Sequence, residues 1–316
     1  MALEDEVRSL ISSEVLPKIR RDQCVLFVGA GLSCEAGLPS SSDLARRLGR
    51  TLPERERPEP CTLREVAETY LRFRTKQELV EFVQEALKPI RGEDLNTTTF
   101  RLIAHIPHLN RIIITTNWDT LLEGAIQEVT GAPPAIVVED IDVGGLAGAQ
   151  CAIYKIHGSV DRPGTLVITE RDYRLKYREL FDPRSLVMAH VRALLARNNI
   201  IYVGYSLRDE HFEELLREIR YALTYQKTGE FLGRTSFLVT PEKPDQETLR
   251  RLRGLDIRWI NASAREFFQF VFAETAEFVN RQEELQLIRS LKEPYVEIHG
   301  SAGTGKTRLL RELANK

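Results

Sequence analysis

The chain has 316 residues, enough for one large domain or two smaller ones with a buried core. Hydrophobic residues make up 42% and charged residues 28%, which excludes an intrinsically disordered chain, and a formal net charge of -2 gives no general attraction to nucleic acid. No apolar run reaches bilayer length, and the N-terminus MALEDEVRSLISSEVLPKIRR lacks the basic start and apolar centre of a secretory signal, so a cytoplasmic protein without membrane or nucleic-acid partners is expected.

In chain order, Glu4–Arg20 carries the apolar period of an amphipathic helix. Cys24–Val28 is an apolar, strand-length run that enters Gly29-Ala30-Gly31, with a helix expected to restart near Ser33. Glycines let a backbone approach a pyrophosphate, and free amides at a helix N-terminus favour anionic oxygens. Gly29, Ala30, Gly31 and Ser33 are therefore candidate dinucleotide contacts. The same G-x-G also serves a plain tight turn, and the ribose-binding acid usual about 20 residues on is not clearly present in RRLGRTLPERE. Ser42–Arg50 reads as helix, Thr51–Pro60 (TLPERERPEP) breaks it, and Leu63–Arg74 and Lys76–Leu87 form two short helices. Residues 51–100 are thus expected to be a small helical insertion beside a nucleotide crevice.

Arg111–Thr115 is the next strand, leading into Asn117, Asp119 and a helix over Thr120–Val129. Asn offers both donor and acceptor, which suits a ribose hydroxyl, a carboxamide or an attacking water, although Asn117 or Asp119 can equally cap the helix. Ala152–Ile156 ends at His157-Gly158. A histidine there can take a proton from a hydroxyl or water, or serve structure alone. After a helix over Ser185–Ala196, the strand Ile200–Val203 ends in Gly204-Tyr205-Ser206 and passes through Arg208-Asp209 into a helix over Glu210–Leu223. Gly204 and Ser206 offer backbone and hydroxyl to a ribose or phosphate, while Asp209 suits an N-cap. Strands Thr235–Val239 and Asp256–Ile260 follow. The alternation predicts an α/β, Rossmann-like fold with a mainly parallel sheet and a small helical insertion. All four glycine- or polar-tipped segments fall at carboxyl ends of strands, where open α/β sheets bind ligands.

Cys24, Cys34, Cys61 and Cys151 are scattered with no CxxC pair, so they read as free thiols and no zinc site is expected. Residues 1–272 are assigned to the nucleotide-binding domain. From 273 onward the pattern changes to FVNRQEELQLIRSL, a short strand Tyr295–His299 and then GSAGTGKT, a full match to G-x-x-x-x-G-K-[ST]. Gly300, Gly303 and Gly305 shape that loop, Lys306 reaches the β- and γ-phosphates of ATP, and Thr307 binds its Mg2+. The sequence stops at Lys316 inside the following helix with no Walker B strand, so 273–316 is expected to open a P-loop NTPase domain of a longer protein.

The set GAGLS, TTNWD, IHGS and GYS, in this order over roughly residues 15–260, resembles the sirtuin family. By that resemblance Gly29, Ala30, Gly31 and Ser33 contact NAD+, and Asn117 and Asp119 position the nicotinamide ribose or a water. His157 is the catalytic base, and Gly204 and Ser206 line the ribose-phosphate path. Sirtuin deacylases carry a four-cysteine zinc module and an acidic-aromatic-Arg cofactor loop. This chain has no such cysteines, and Pro39-Ser40-Ser41-Ser42 follows its glycine motif. Both departures look like the zinc-free sirtuin-like domains of bacterial antiphage defence proteins, which hydrolyse NAD+. FVNRQEEL resembles the opening of STAND and NACHT-type ATPases, with Asn280 replacing the usual Gly. The resemblance implies an NAD+ hydrolase releasing nicotinamide and ADP-ribose. Its control would fall to a C-terminal STAND ATPase and sensor, a phage protein trigger and assembly into a homo-oligomer, a tetramer or larger when activated. An NAD-dependent deacylase and a non-catalytic sensor of NAD+ or ADP-ribose are the alternatives.

Overall fold

Alternating apolar strands and amphipathic helices give the layered α/β arrangement that the sequence pattern calls for. The computed structural model describes residues 3–57, 62–88, 95–106, 108–109, 111–182, 184–207, 210–225, 230–231 and 233–275. The chain divides into two compact units, Met1–Glu274 and Thr275–Lys316. The loop residues Gly300, Gly303, Gly305, Lys306 and Thr307, the segment FVNRQEEL, and Cys61, Arg208 and Asp209 lie outside the described residues.

The strands are β1 (Cys24–Val28), β2 (Ile112–Thr115), β3 (Ala135–Val137), β4 (Ala152–Lys155), β5 (Asn199–Val203), β6 (Thr224–Tyr225), β7 (Glu230–Phe231), β8 (Ser236–Val239) and β9 (Ile257–Ile260). Seven of them form one parallel sheet in the order β3-β4-β2-β1-β5-β8-β9, while β6 and β7 pair as a short antiparallel ribbon. Six strands were legible in the sequence to within a residue or so. β3 was not, because three residues at a sheet edge carry too little pattern.

The helices are α1 (Asp5–Leu10), α2 (Leu16–Arg20), α3 (Ala30–Glu35), α4 (Ser41–Gly49), α5 (Leu63–Tyr70), α6 (Lys76–Ala86), α7 (Thr98–Ala104), α8 (Leu121–Thr130), α9 (Glu170–Phe181), α10 (Leu186–Arg197), α11 (Glu210–Leu223), α12 (Gln246–Gly254) and α13 (Ala264–Thr275). The expected single helix over Glu4–Arg20 is interrupted by a π segment at Ile11–Val15. The wider turn keeps Val7, Ile11, Val15, Leu16 and Ile19 all on the core side.

β1 is buried along its whole length, as the central strand of a doubly covered parallel sheet must be. Its side chains alternate between two cores: Leu26 and Val28 face one layer with α1, α7, α8 and α13, and Val25 and Phe27 face the other with α10 and α11. A third cluster is separate from both. Leu44, Leu48, Leu63, Val66, Tyr70, Leu79 and Val83 from α4, α5 and α6 pack with Leu166 and Ile168 of the segment after β4. Each of these three helices starts with a capping box, at Ser40–Asp43, Thr62–Glu65 and Thr75–Glu78, which satisfies first-turn amides and makes short helices viable. These helices make a cap with its own small core.

Candidate functional site

Register puts the carboxyl ends of four adjacent strands level with one another. Val28 pairs with Thr115 on one side and Val203 on the other, and Thr115 pairs in turn with Lys155. The segments leaving β4, β2, β1 and β5 therefore emerge side by side. The chain places β2 on one side of β1 and β5 on the other, so connections diverge at β1 and open a crevice there.

The glycine turn differs from expectation in one respect: α3 begins at Ala30, with Gly29 as its N-cap, rather than near Ser33. The turn is locked to the end of β5. Gly29 N donates to Val203 O at 2.9 Å and Gly31 N to Gly204 O at 2.8 Å, while Leu32 N donates back to Gly29 O at 3.1 Å. A Cβ on Gly29 would lie 2.5 Å from Gly204 O and 2.6 Å from Tyr205 Cα, and one on Gly31 would lie 2.8 Å from Gly204 O. Gly204 itself has φ +63° and faces the Leu32 amide. The GAG and GYS segments are thus one backbone-on-backbone unit, and their glycines are required by this contact before any ligand is considered. Ala30, Gly31 and Ser206 are exposed at its surface, and Tyr205 packs inward on Phe27 at 4.7 Å between ring centroids.

Ser33, Asn117 and Asp119 converge on this turn. Thr115 Oγ1 donates to Val28 O at 2.9 Å and accepts from Asn117 N at 3.0 Å, fixing the path out of β2. Asn117 Nδ2 then donates to Gly29 O at 3.1 Å and to Ser33 Oγ at 2.8 Å, and Ser33 Oγ donates to Asp119 Oδ2 at 2.7 Å. The other carboxylate oxygen of Asp119 accepts from Leu121 N, the first amide of α8, at 3.1 Å, while the N-cap position itself is Thr120. Ser33 is 4% and Asn117 5% exposed. Both Nδ2 donors of Asn117 are satisfied, yet its Oδ1 is buried with no hydrogen-bond partner among the described residues. A buried unpaired acceptor costs about 1–3 kcal/mol, so it marks a place where a donor belongs.

His157 sits just past β4, 6% exposed, with its ring edge-on to Tyr173 at 5.2 Å. Its carbonyl accepts from Val167 N at 3.0 Å, and Gly158 follows with φ +85°, its missing side chain leaving room for the Thr165 carbonyl. Arg64 of the cap lies over the Tyr173 ring at 5.4 Å. The cap also reaches the same region through Gln84 Nε2, which donates to Val160 O at 2.9 Å, and through Lys76, which pairs with Asp172. Trp118 packs against the cap core, and its carbonyl accepts from Val160 N at 2.8 Å. Sequence reasoning missed one group here. Lys155 is completely buried, and its ammonium donates to Asp119 O and Glu123 Oε1, each at 2.6 Å, and to Trp118 O at 3.4 Å. The signal was a lone charge inside the otherwise apolar strand AIYKI.

The local electrostatics follow burial. Burial raises the Glu123 carboxyl, and Lys155 only partly offsets it. Burial also raises the Cys34 thiol, with Asp43, Asp119 and Glu35 adding to the effect. Among the described residues no group of three or more His, Cys, Asp or Glu side chains is arranged to hold a metal ion, and no helix is long and apolar enough to cross a membrane.

Comparison with known proteins bears on this crevice. The chain is 25% identical over 221 residues to a protein of Cytobacillus dafuensis named NAD(+) hydrolase ThsA, covering 70% of this chain and 42% of the relative. It is 27% identical over 210 residues to one of the same name from Enterococcus faecium, covering 65% and 41%. A third, from Bacillus cereus (strain MSX-D12), is 25% identical over 223 residues, covering 67% and 43%. The chain thus spans less than half the length of these curated relatives. A solved structure described as "Structural Basis for the Mechanism and Regulation of Sir2 Enzymes" overlaps with a TM-score of 0.46 at 17% identity, covering 92% of this chain and 100% of that one. Residues 111–260 match the family described as SIR2-like domain, a stretch that runs from β2 to β9 and holds Asn117, Asp119, His157, Gly204 and Ser206.

Proposed function

We propose that this chain carries the catalytic site of an NAD+ hydrolase that releases nicotinamide and ADP-ribose. The observation that carries the reading is the Ser33–Asn117–Asp119 network, which leaves one buried acceptor open at the point where the strand connections diverge. Relatives named NAD(+) hydrolase support it.

The bond between nicotinamide and ribose is activated by the pyridinium charge, so the protein's task is to orient the dinucleotide and stabilise an oxocarbenium-like state. The rim of Ala30, Gly31, Gly204 and Ser206 holds the diphosphate side. Asn117 Oδ1 accepts from a ribose hydroxyl or the attacking water, and the Asp119 carboxylate, held by Ser33, supplies negative charge beside the developing cation. The N-glycosidic bond breaks with its electron pair passing to the nicotinamide nitrogen. Water adds to the anomeric carbon, and His157 accepts the proton the water loses, directly or relayed through a ribose hydroxyl. The proposal extends to control of this activity in antiphage defence: a STAND ATPase with ATP and Mg2+, homo-oligomer assembly and a phage protein trigger. The complete G-x-x-x-x-G-K-[ST] match at Gly300–Thr307 supports it.

The test follows nicotinamide release from NAD+ with and without an acyl-lysine peptide. Peptide-independent release is expected, and His157→Ala should lower kcat by about 100-fold or more, the usual worth of a general base. Strictly peptide-dependent release, or unchanged rates in both His157→Ala and Asn117→Ala, would overturn the reading.

A further inference from the structure

Lys155 belongs to no motif and to no step above, yet it joins two of the segments that make the site. It lies two residues before His157, on the strand paired with β2. Its side chain is fully buried, and its three acceptors all lie beyond β2, on Trp118, Asp119 and Glu123 of the loop and first turn of α8. An ammonium has three N–H donors, and here each has an acceptor. A strand that must only fill a core would be built from apolar side chains, and burying a charge pair in place of them is at best neutral for stability. The ammonium instead holds the main-chain carbonyls of the two residues that follow Asn117.

We infer that Lys155, balanced by Glu123, is a positioning residue: it pins the main chain at Trp118 and Asp119 to β4, and so sets Asn117 and Asp119 against His157. Two other contacts run through the same joint. Val160 N donates to the Trp118 carbonyl that Lys155 also holds, and the Asp119 carboxylate accepts from Ser33. Releasing the ammonium therefore loosens the join between the His157 segment and the Asn117 loop while leaving the Gly29–Gly204 unit, on the far side of β2, in place. This inference rests on the NAD+ hydrolase reading for its kinetic readout only.

The test compares the parent chain with Lys155→Met and with the double variant Lys155→Met/Glu123→Leu, which removes both charges and so avoids stranding a buried carboxylate. Hydrogen exchange is followed at the amides of Asn117, Leu121 and Val160, with nicotinamide release and thermal unfolding measured in parallel. The double variant is expected to stay folded and to exchange those three amides at least tenfold faster. Its kcat should fall tenfold or more, with KM within about threefold, because the dinucleotide rim is untouched. Unchanged exchange overturns the inference whatever happens to the rate, as does unchanged kcat with a folded protein. A KM rise equal to the kcat loss also overturns it, since that marks general damage to the site. Should the parent release no nicotinamide, the NAD+ hydrolase reading fails, and exchange alone still decides whether Lys155 sets the loop.

Discussion

Gly204→Ala is the sharpest probe of how the crevice is built. Gly204 has φ +63°, where an L side chain costs about 1–2 kcal/mol. The new methyl would also run into the Leu32 amide and lie 3.0 Å from Gly29 O and 3.1 Å from Gly31 C, all backbone atoms that cannot swing aside. Forcing that separation adds about 1–3 kcal/mol by analogy with overpacked cores. The sum, about 2–5 kcal/mol, is a large part of a total stability of about 5–15 kcal/mol. Urea unfolding reads it directly: with a slope near 3 kcal/mol/M, the midpoint should fall by about 1 M. The same displacement breaks the Gly31 N to Gly204 O bond, so NAD+ affinity, measured by calorimetry on folded protein, should weaken as well. An unchanged midpoint with an unchanged slope would refute the claim that these glycines are held by backbone contact.

Gly124, exposed in the middle of α8 with nothing within 4 Å of an added Cβ, is the matched control. Gly124→Ala should stabilise by about 0.5–1 kcal/mol, seen as a higher urea midpoint. Burial pushes the thiols of Cys24 and Cys151 up to about 12, so neither should react with iodoacetamide in the native protein at pH 8, and mass spectrometry should find both labelled only after unfolding. Burial pushes the Asp172 carboxyl up, but Lys76 and the amides of Thr169 and Ile168 outweigh it and leave its pKa below the ordinary value of 3.8. Its contribution is complete above that value and disappears as pH falls through the lower folded one. Limited proteolysis of α5 and α6 should therefore rise below about pH 4, and Asp172→Asn should lose that acid step.

The strands were legible where burial imposes a continuous apolar run, as in Cys24–Val28 and Ile200–Val203. The π segment in the first helix was not, because Ile11 and Val15 also satisfy an α-helical period and only the packing shows the widened turn. In the candidate site, each segment announced itself by glycine, Asn or His at a strand end, but the contacts between segments did not. Ser33 and Asp119 are 86 residues apart, and no local pattern says that a serine hydroxyl will hold that carboxylate. The glycines were legible as glycines, but their contact with one another was not. A pyrophosphate and a second backbone both demand the absence of a Cβ, and only the structure shows Gly204 already filling the space beside Gly29 and Gly31.

That ambiguity shifts the chemical argument from the glycines to the residue type at position 117. Asn117 faces two acceptors, the Gly29 carbonyl and the Ser33 oxygen, whose own proton goes to Asp119. A carboxylate there would set oxygen against oxygen and add a second charge beside Asp119, whereas a hydrophobic residue would leave Ser33 and Gly29 with one partner fewer. Only an amide can give two protons inward and still present an acceptor. Gln would do so from a side chain one methylene longer, in a site that is 95% buried and has no slack. The inward bonds explain why the side chain is held rigidly, and the unpaired Oδ1 explains what it is held for. Among the described residues no donor reaches that oxygen, so it is open to the ribose hydroxyl or water of the proposed reaction.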